Sequence, residues 1–288
     1  MRLGIVGLGL VGRAMAKRLL AAGYEVCGYD IAETACKDAQ KVGVEVVEDA
    51  RQVAEEADTV LLSLMTSENR RDLLWGAQAV AQALEPGALI LDTTTARPED
   101  MRVDHARLAE QDVRLIDVCL SGSSQVVAEG RALALVGDRR ENAEYASILE
   151  AFSKAQYYFD EPGQGNQAKL IINLVFGLNR LVLAEALGLA AKGGFDLNVI
   201  LDILKAGETY SVVMDTKGPK MISGVYEPAV ARLAQHAKDV DLILEYAQEV
   251  GARVPVSEVH SGLIRSVADA GAGDLDNAAI FKAYQSSD

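Results

Sequence analysis

Gly7-Leu8-Gly9-Leu10-Val11-Gly12 follows directly on the apolar run Leu3 to Val6 and precedes a segment with helical spacing, Arg13 to Ala22. A strand that runs through three glycines into a helix makes a tight turn whose backbone can approach a pyrophosphate, with the helix's first N–H groups aimed at the charge. Gly7 permits the turn, Gly9 removes the side chain that the phosphates would meet, and Gly12 lets helix and strand pack closely. Gly7, Leu8, Gly9, Leu10, Val11 and Gly12 are therefore candidate dinucleotide contacts. A second strand pattern, Tyr24 to Tyr29, ends at Asp30, where a Rossmann unit places the acid that bonds the adenosine ribose hydroxyls. Asp30 also suits the cap of a helix over Ile31 to Gln40, and both roles can hold. No arginine follows it, and a carboxylate there repels a 2′-phosphate, so NAD is expected in preference to NADP.

Strand-like runs recur at Val44 to Val47, Thr59 to Leu64, Ala88 to Leu91 and Val113 to Val118, with Ala-rich helical segments between most of them. This alternation predicts an α/β fold with a parallel, doubly wound Rossmann-type sheet whose ligand loops lie at the carboxyl ends of the strands. Leu133 to Val136 and Tyr157 to Phe159 read as two more short strands. At Glu161-Pro162-Gly163-Gln164-Gly165 the pattern changes, and from Asn166 onward helix follows helix. The expected division is a dinucleotide-binding domain over 1–162 and an all-helical substrate and oligomerisation domain over 163–288. Gln164 to Lys192 would form one helix of about 43 Å, ended by Gly193-Gly194. Its apolar residues wrap nearly the full circumference, as in a buried helix at the centre of a bundle or at a subunit interface, and a homodimer or homotetramer is expected. Further helices are expected at Leu197 to Lys205, Asp215 to Ile222, Ala229 to Val250, Val256 to Ala270 and Ala278 to Tyr284.

The chain has 288 residues, half of them apolar, and a net charge of −14. That balance opposes a broad electrostatic grip on nucleic acid or an anionic membrane. The long apolar segment Leu170 to Ala191 carries Asn173, Asn179, Arg180 and Glu185, which a lone bilayer span accommodates only at high cost; no membrane association is expected. Cys27, Cys36 and Cys119 are odd in number and form no CxxC pattern, pointing to reduced cytoplasmic thiols. A strand within three residues of Met1 leaves no room for a secretory leader, so export is not expected. His105, His236 and His260 show no metal-ligand spacing with another His or Cys, and no metal is expected.

Three further segments carry residue types suited to chemistry. Lys169 and Asn173 are four apart and share a helix face. Lys169 runs into Leu-Ile-Ile, which suits either an ammonium pointing into a polar cleft, where a lysine can exchange protons, or a solvated lysine on the first turn. Asp117-Val118-Cys119-Leu120-Ser121-Gly122-Ser123 leaves a strand through a serine and glycine turn. There a hydroxyl and free N–H groups can receive a carboxylate, although an ordinary turn has the same composition. Lys238-Asp239 is either solvated surface or part of a site.

These segments resemble the β-hydroxyacid dehydrogenase family, the group of 3-hydroxyisobutyrate dehydrogenase and tartronate semialdehyde reductase, over nearly the whole length. GLGLVGRAMAKRL at Gly7 to Leu19 is similar to its nucleotide motif, and DVCLSGS at Asp117 to Ser123 to its substrate motif. GQGNQAKLIIN at Gly163 to Asn173 and Lys238-Asp239-Val240 resemble its lysine–asparagine and Lys-Asp-Leu motifs. The resemblance implies that Lys169 is the acid/base and that Asn173 helps hold the substrate. It implies carboxylate binding by Ser121, Gly122 and Ser123, and closure of the cleft by Lys238 and Asp239, with Lys238 also beside the cofactor. Leu64, Met65 and Thr95 fall where the family lays strand-end loops along the dinucleotide. Cys119, Ser123 and Ile172 depart from the pattern, all near the expected substrate.

The expected function is NAD-dependent interconversion of a small carboxylate-bearing 3-hydroxy acid and its semialdehyde. The rivals are an imine reductase, which generally lacks the lysine, a 6-phosphogluconate-type dehydrogenase, which needs several basic side chains for its sugar phosphate, and a catalytically silent dinucleotide-binding scaffold.

Overall fold

Arg2–Val6 (β1) and Leu10–Ala21 (α1) open a computed structural model in which residues 1–285 are described. There follow Glu25–Tyr29 (β2), Glu33–Gln40 (α2), Glu45–Val46 (β3), Ala50–Glu56 (α3), Thr59–Leu62 (β4), Ser67–Trp75 (α4), Leu89–Asp92 (β5) and Pro98–Ala109 (α5). Arg114–Ser121 (β6), Ser124–Ala128 (α6), Ala132–Gly137 (β7), Ala146–Glu150 (α7) and Ser153–Phe159 (β8) complete one eight-stranded sheet in the order β3-β2-β1-β4-β5-β6-β7-β8. Strands β1 to β6 are mutually parallel, β7 runs antiparallel to β6, and β8 parallels β7.

Why these runs are strands is visible in where their side chains go. Leu3, Ile5, Leu61, Leu91, Ile116 and Val118 pack on one face, while Val6, Val60, Leu62, Ile90 and Leu115 pack on the other. Alternate residues of a strand point to opposite faces, and a parallel sheet covered on both sides needs apolar residues on each. The chain leaves β1 toward β2 and β3 on one side and later returns through β4 on the other. The glycine turn after β1 therefore sits at the reversal of strand order, the crevice where open α/β sheets bind ligands.

The buried guanidinium of Arg70 on α4 ties this layer together. Its Nη1 lies 2.6 Å from Asp92 Oδ2 on β5, and its Nε and Nη2 lie 2.9 and 2.8 Å from Asp104 Oδ2 on α5. All three groups are sealed from water.

The chain divides into two compact units, Met1–Lys169 and Leu170 onward. Gln164–Lys192 (α8) is one helix, and this division falls inside it. Its first turns are bonded to β6, as described below. Leu197–Ala206 (α9), Val212–Thr216 (α10), Gly218–Ser223 (α11), Leu233–Glu249 (α12) and Pro255–Val267 (α13) follow. Leu181, Leu183, Ala184 and Leu187 of α8 join Leu201, Met214, Met221, Leu233, Ile264 and Phe281 in the helical core.

Several boundaries differ from the sequence expectation for local reasons. α1 starts at Leu10, with Gly9 as its cap, and α2 starts at Glu33, so Asp30 is not the cap residue of α2. The helix expected over Asp215 to Ile222 is two helices broken at Lys217, whose Nζ is drawn inward to Asp276 at 2.7 Å. Pro219 follows, and it cannot donate to a continuing helical ladder. α12 begins at Leu233 because Arg232 is engaged in a bridge with Asp276. Beyond α13 the chain loosens into a π-turn at Ala268–Ala272, and Asn277–Tyr284 is 3-10 rather than α. α8 is not wholly buried either: Ile171, Val175, Val182 and Leu189 are exposed. By length and composition α8 would pass for a membrane span, yet its inward residues are core to the helical unit.

Inside that unit His236 of α12 and His260 of α13 touch, their ring centroids 5.2 Å apart. They meet across Gly177 of α8, where a Cβ would lie 2.8 Å from His236 Nε2 and 3.0 Å from His260 Cε1. Burial, with a smaller push from the Arg180 cation, lowers the His260 pKa to about 4.

Two outcomes follow. Arg70→Met leaves two sealed carboxylates uncompensated and should cost about 3–5 kcal/mol, read as a lowered urea midpoint; an unchanged midpoint would show that the triad does not hold the layer. His260 is neutral in the folded chain, whereas the unfolded chain binds its proton near pH 6.5. Stability should therefore fall as pH drops from about 6.5 to about 4, by roughly 3 kcal/mol at most, in denaturant titrations across that window. His260→Leu should flatten this segment of the profile.

Candidate active site

Because β1 to β6 are parallel, their carboxyl ends lie along one edge, and that edge gathers the turns after Val6, Tyr29, Leu62, Asp92 and Ser121. Gly7 there has φ +95°, and a Cβ on it would come 2.2 Å from Ser63 O. A Cβ on Gly12 would lie 1.9 Å from Gly7 O, so α1 can start this close to β1 only without one. A Cβ on Gly9 would meet no atom within 4 Å. The N-terminus of the twelve-residue α1 thus opens onto space beside Gly9, a cradle that fits a dinucleotide pyrophosphate.

Asp30 closes this turn from the next strand. Its Oδ2 accepts from Leu8 N at 2.7 Å and its Oδ1 from Ala32 N at 2.8 Å. The Leu8 side chain is fully buried in the sheet core, so only its backbone is available at the turn. The side chain faces inward because the residue after the left-handed Gly7 continues the packing of β1. Leu10 is exposed, and Val11 is half-buried against the core.

The loops after β4 and β5 are fastened to each other. Thr94 Oγ1 accepts from Leu64 N at 3.2 Å, Thr93 Oγ1 donates to Leu62 O at 2.8 Å, and Asp92 Oδ1 accepts from Thr94 N at 3.0 Å. Asp92 is the carboxylate held by Arg70, so that buried pair also sets the loop bearing Thr95. Thr95 is half-buried at this edge, and Met65 is exposed.

Two residues that sequence reasoning left without a role fix the start of α8. Asp117, fully buried on β6, accepts from Gly163 N at 2.9 Å, Asn166 N at 2.8 Å and Asn166 Nδ2 at 3.3 Å. Asn166 Oδ1 accepts in turn from Ala96 N at 2.7 Å. The carboxylate fits because Gly137 and Gly165 carry no side chains: a Cβ would stand 2.0 Å from Asp117 Oδ1 at the first and 2.9 Å from Oδ2 at the second. The signal was present in the Asp of the strand-end motif and in the glycine spacing before Lys169, but their meeting is a tertiary fact.

With α8 so anchored, Lys169 Nζ donates to Leu120 O at 2.7 Å. The ammonium is therefore at the end of β6, next to Ser121 and Gly122, and is half-buried rather than solvated on an outer turn. Gly122 has φ +146° and a Cβ there would strike Val126 Cγ1 at 2.8 Å. Ser123 Oγ accepts from Val126 N at 3.4 Å as the cap of α6, so its hydroxyl has a local structural partner. One turn past Lys169, Asn173 Nδ2 donates to Asp239 Oδ2 at 3.0 Å, and Lys238 Nζ lies 3.1 Å from Asp239 Oδ1. The Lys-Asp neighbours are half-buried and tied to α8 rather than open surface. Among the described residues no group of three His, Cys, Asp or Glu side chains converges to hold a metal ion.

Residues 2–160 match the family model for the NAD binding domain of 6-phosphogluconate dehydrogenase, and residues 163–284 match that for the NAD-binding domain of NADP-dependent 3-hydroxyisobutyrate dehydrogenase. L-threonate dehydrogenase of Escherichia coli K12 is 28% identical, covering 98% of this chain and 94% of its own. The crystal structure of a 3-hydroxyisobutyrate dehydrogenase from Salmonella typhimurium superposes with a TM-score of 0.90 at 25% identity, covering 98% of this chain and 99% of that one. A Mycobacterium tuberculosis 3-hydroxyisobutyrate dehydrogenase with L-serine gives 0.87 at 26% identity, covering 99% of each. With both halves matched in order and the whole chain superposed, the protein belongs to the 3-hydroxyisobutyrate dehydrogenase-like family of NAD(P)-dependent oxidoreductases.

Proposed function

We propose that this protein interconverts a small 3-hydroxy acid and its semialdehyde with NAD, using Lys169 as the acid/base. The observation that carries the reading is the Lys169–Leu120 hydrogen bond, which holds an amine beside Ser121 and Gly122 on the same strand-end edge as the glycine turn. The relatives named as dehydrogenases of L-threonate and 3-hydroxyisobutyrate support a hydroxy acid as substrate.

Gly7, Gly9 and Gly12 with the α1 N-terminus would hold the pyrophosphate, and Asp30 the adenosine ribose; its carboxylate favours NAD over NADP by repelling a 2′-phosphate. Bound NAD supplies the hydride acceptor for oxidation and, reduced, the donor for the reverse. The protein's own part is proton transfer and orientation. Neutral Lys169 accepts the hydroxyl proton as the alcohol becomes a carbonyl, and the ammonium returns it in the other direction. Asn173 Nδ2 gives one N–H to Asp239 and keeps a second, which would donate to the substrate oxygen while that oxygen's own proton passes to Lys169. Ser121 and the Gly122 N–H receive the carboxylate, which fixes the carbinol carbon for reaction.

The exposed apolar residues Ile171, Val175, Val182 and Leu189 of α8 favour self-association into a dimer or tetramer. Light scattering should give a multiple of the 30.7 kDa chain mass, reduced in Leu189→Glu; a monomeric mass for the unsubstituted protein would remove this part of the proposal.

Lys169→Ala should lower kcat by about 100- to 10,000-fold while NAD affinity stays nearly unchanged. NADH absorbance with a panel of 3-hydroxy acids, together with calorimetric NAD titration, measures both. A variant with near-normal turnover overturns the assignment, and silence of the unsubstituted protein across the panel despite tight NAD binding favours a non-catalytic scaffold.

A further inference from the structure

Arg180, in the middle of α8, is enclosed by the helical unit, with 1% of its surface exposed. Its Nε and Nη2 have no hydrogen-bond partner, and it forms no ion pair among the described residues. Burying a guanidinium without an acceptor is among the costlier arrangements a protein can hold. The two orphaned donors lie side by side on one edge of the guanidinium plane, the edge that receives a carboxylate through parallel bonds. Arg70, by contrast, has carboxylates against it: its Nε donates to Asp104 Oδ2 at 2.9 Å and its Nη1 to Asp92 Oδ2 at 2.6 Å.

The charges around Arg180 are not balanced by the protein. The carboxylates whose field reaches it are Asp276 and Asp239, and both are engaged elsewhere. Asp276 takes Lys217 at 2.7 Å, Lys220 at 3.3 Å and the N–H groups of Val230 and Ala278. Asp239 takes Lys238 and Asn173. Arg180, Lys217 and Lys220 therefore confront Asp276 alone, while Lys238 offsets Asp239. Burial pushes the Arg180 pKa down to about 10, which leaves it a cation at neutral pH. His260 Nε2 is likewise buried without a partner, and as a neutral ring it can donate a hydrogen bond. The Arg180 Cζ is 5.9 Å from the Phe176 ring centre, so the guanidinium is drawn back along α8 toward Gly177, where the missing side chain makes room for the imidazoles.

We propose that Arg180, assisted by His260, is a receptor for a small carboxylate anion inside the helical unit, the ligand's two oxygens seated on Nε and Nη2. It lies eleven positions along the helix from Lys169, about 16 Å between backbones, so it is a site additional to the one served by that lysine. The carboxylate belongs to a free small acid, since a small hydroxy acid held at Lys169 does not span that separation.

Calorimetry and thermal unfolding with sodium acetate, against sodium chloride at equal ionic strength, test this on the full chain. Acetate should bind saturably and raise Tm by a few degrees beyond chloride. Arg180→Lys keeps the charge but loses the fork, and should weaken acetate binding by roughly tenfold or more; Arg180→Met should abolish it. Should the methionine variant fail to fold, the lysine variant and the unsubstituted protein still decide. Equal effects of acetate and chloride, or unchanged acetate binding in Arg180→Lys, overturn the proposal. Acetate binding that leaves turnover of the hydroxy-acid panel unchanged agrees with a separate site, whereas acetate that competes with those substrates overturns it. The acetate measurement needs no turnover, so it stands or falls apart from the hydride-transfer reading.

Discussion

One buried carboxylate sets the geometry on which the candidate site depends. Asp117 sits where the N-terminus of α8 meets the sheet and takes the N–H of Gly163 just before that helix and the backbone N–H and side-chain amide of Asn166 within it. Burial pushes its carboxyl upward from the ordinary aspartate range, and those donors oppose the push. A helix N-terminus attracts negative charge, and here the charge comes from a strand rather than from solvent. Asn166 extends the connection to the loop after β5. The Lys169 amine, bonded to the residue before Ser121, is placed as a consequence of this joint. The glycines at 137 and 165 belong to the same device, since either Cβ would occupy the carboxylate's space.

The order of strand, glycine turn, helix and strand was legible because it rests on local physics: apolar periodicity, the conformational freedom of Gly7, and an acid at the end of β2. Lys169, Ser121 and Gly122 were singled out by the family resemblance, since their local segments alone suit a solvated lysine and an ordinary turn equally. What escaped was whatever depends on residues far apart in the chain. Asp117 and Asn166 are 49 positions apart, Arg70 and Asp104 34, and nothing in either neighbourhood announces the partner. Helix boundaries failed for a related reason. Lys217 breaks an otherwise continuous helical pattern because Asp276, distant in sequence, pulls it inward.

Charge tells a similar story at a larger scale. A net charge of −14 describes the surface, yet the helical unit encloses an arginine and a lysine, Arg180 and Lys217, and nearly encloses two histidines. Composition averages over these positions and cannot reveal them. Their burial is what makes His260 sensitive to acid and leaves Arg180 with donors that the chain itself does not fill.

Lys169, Asn173, Gly177 and Arg180 recur at intervals of four, four and three along α8, which keeps them in one row on a single cylinder. Adding or removing one residue anywhere in that row would swing every later member about 100° around the axis. The tally of residues between the amine and the guanidinium is thus as constrained as their identities, and divergence along this stretch must proceed by exchange of side chains, not by change of length.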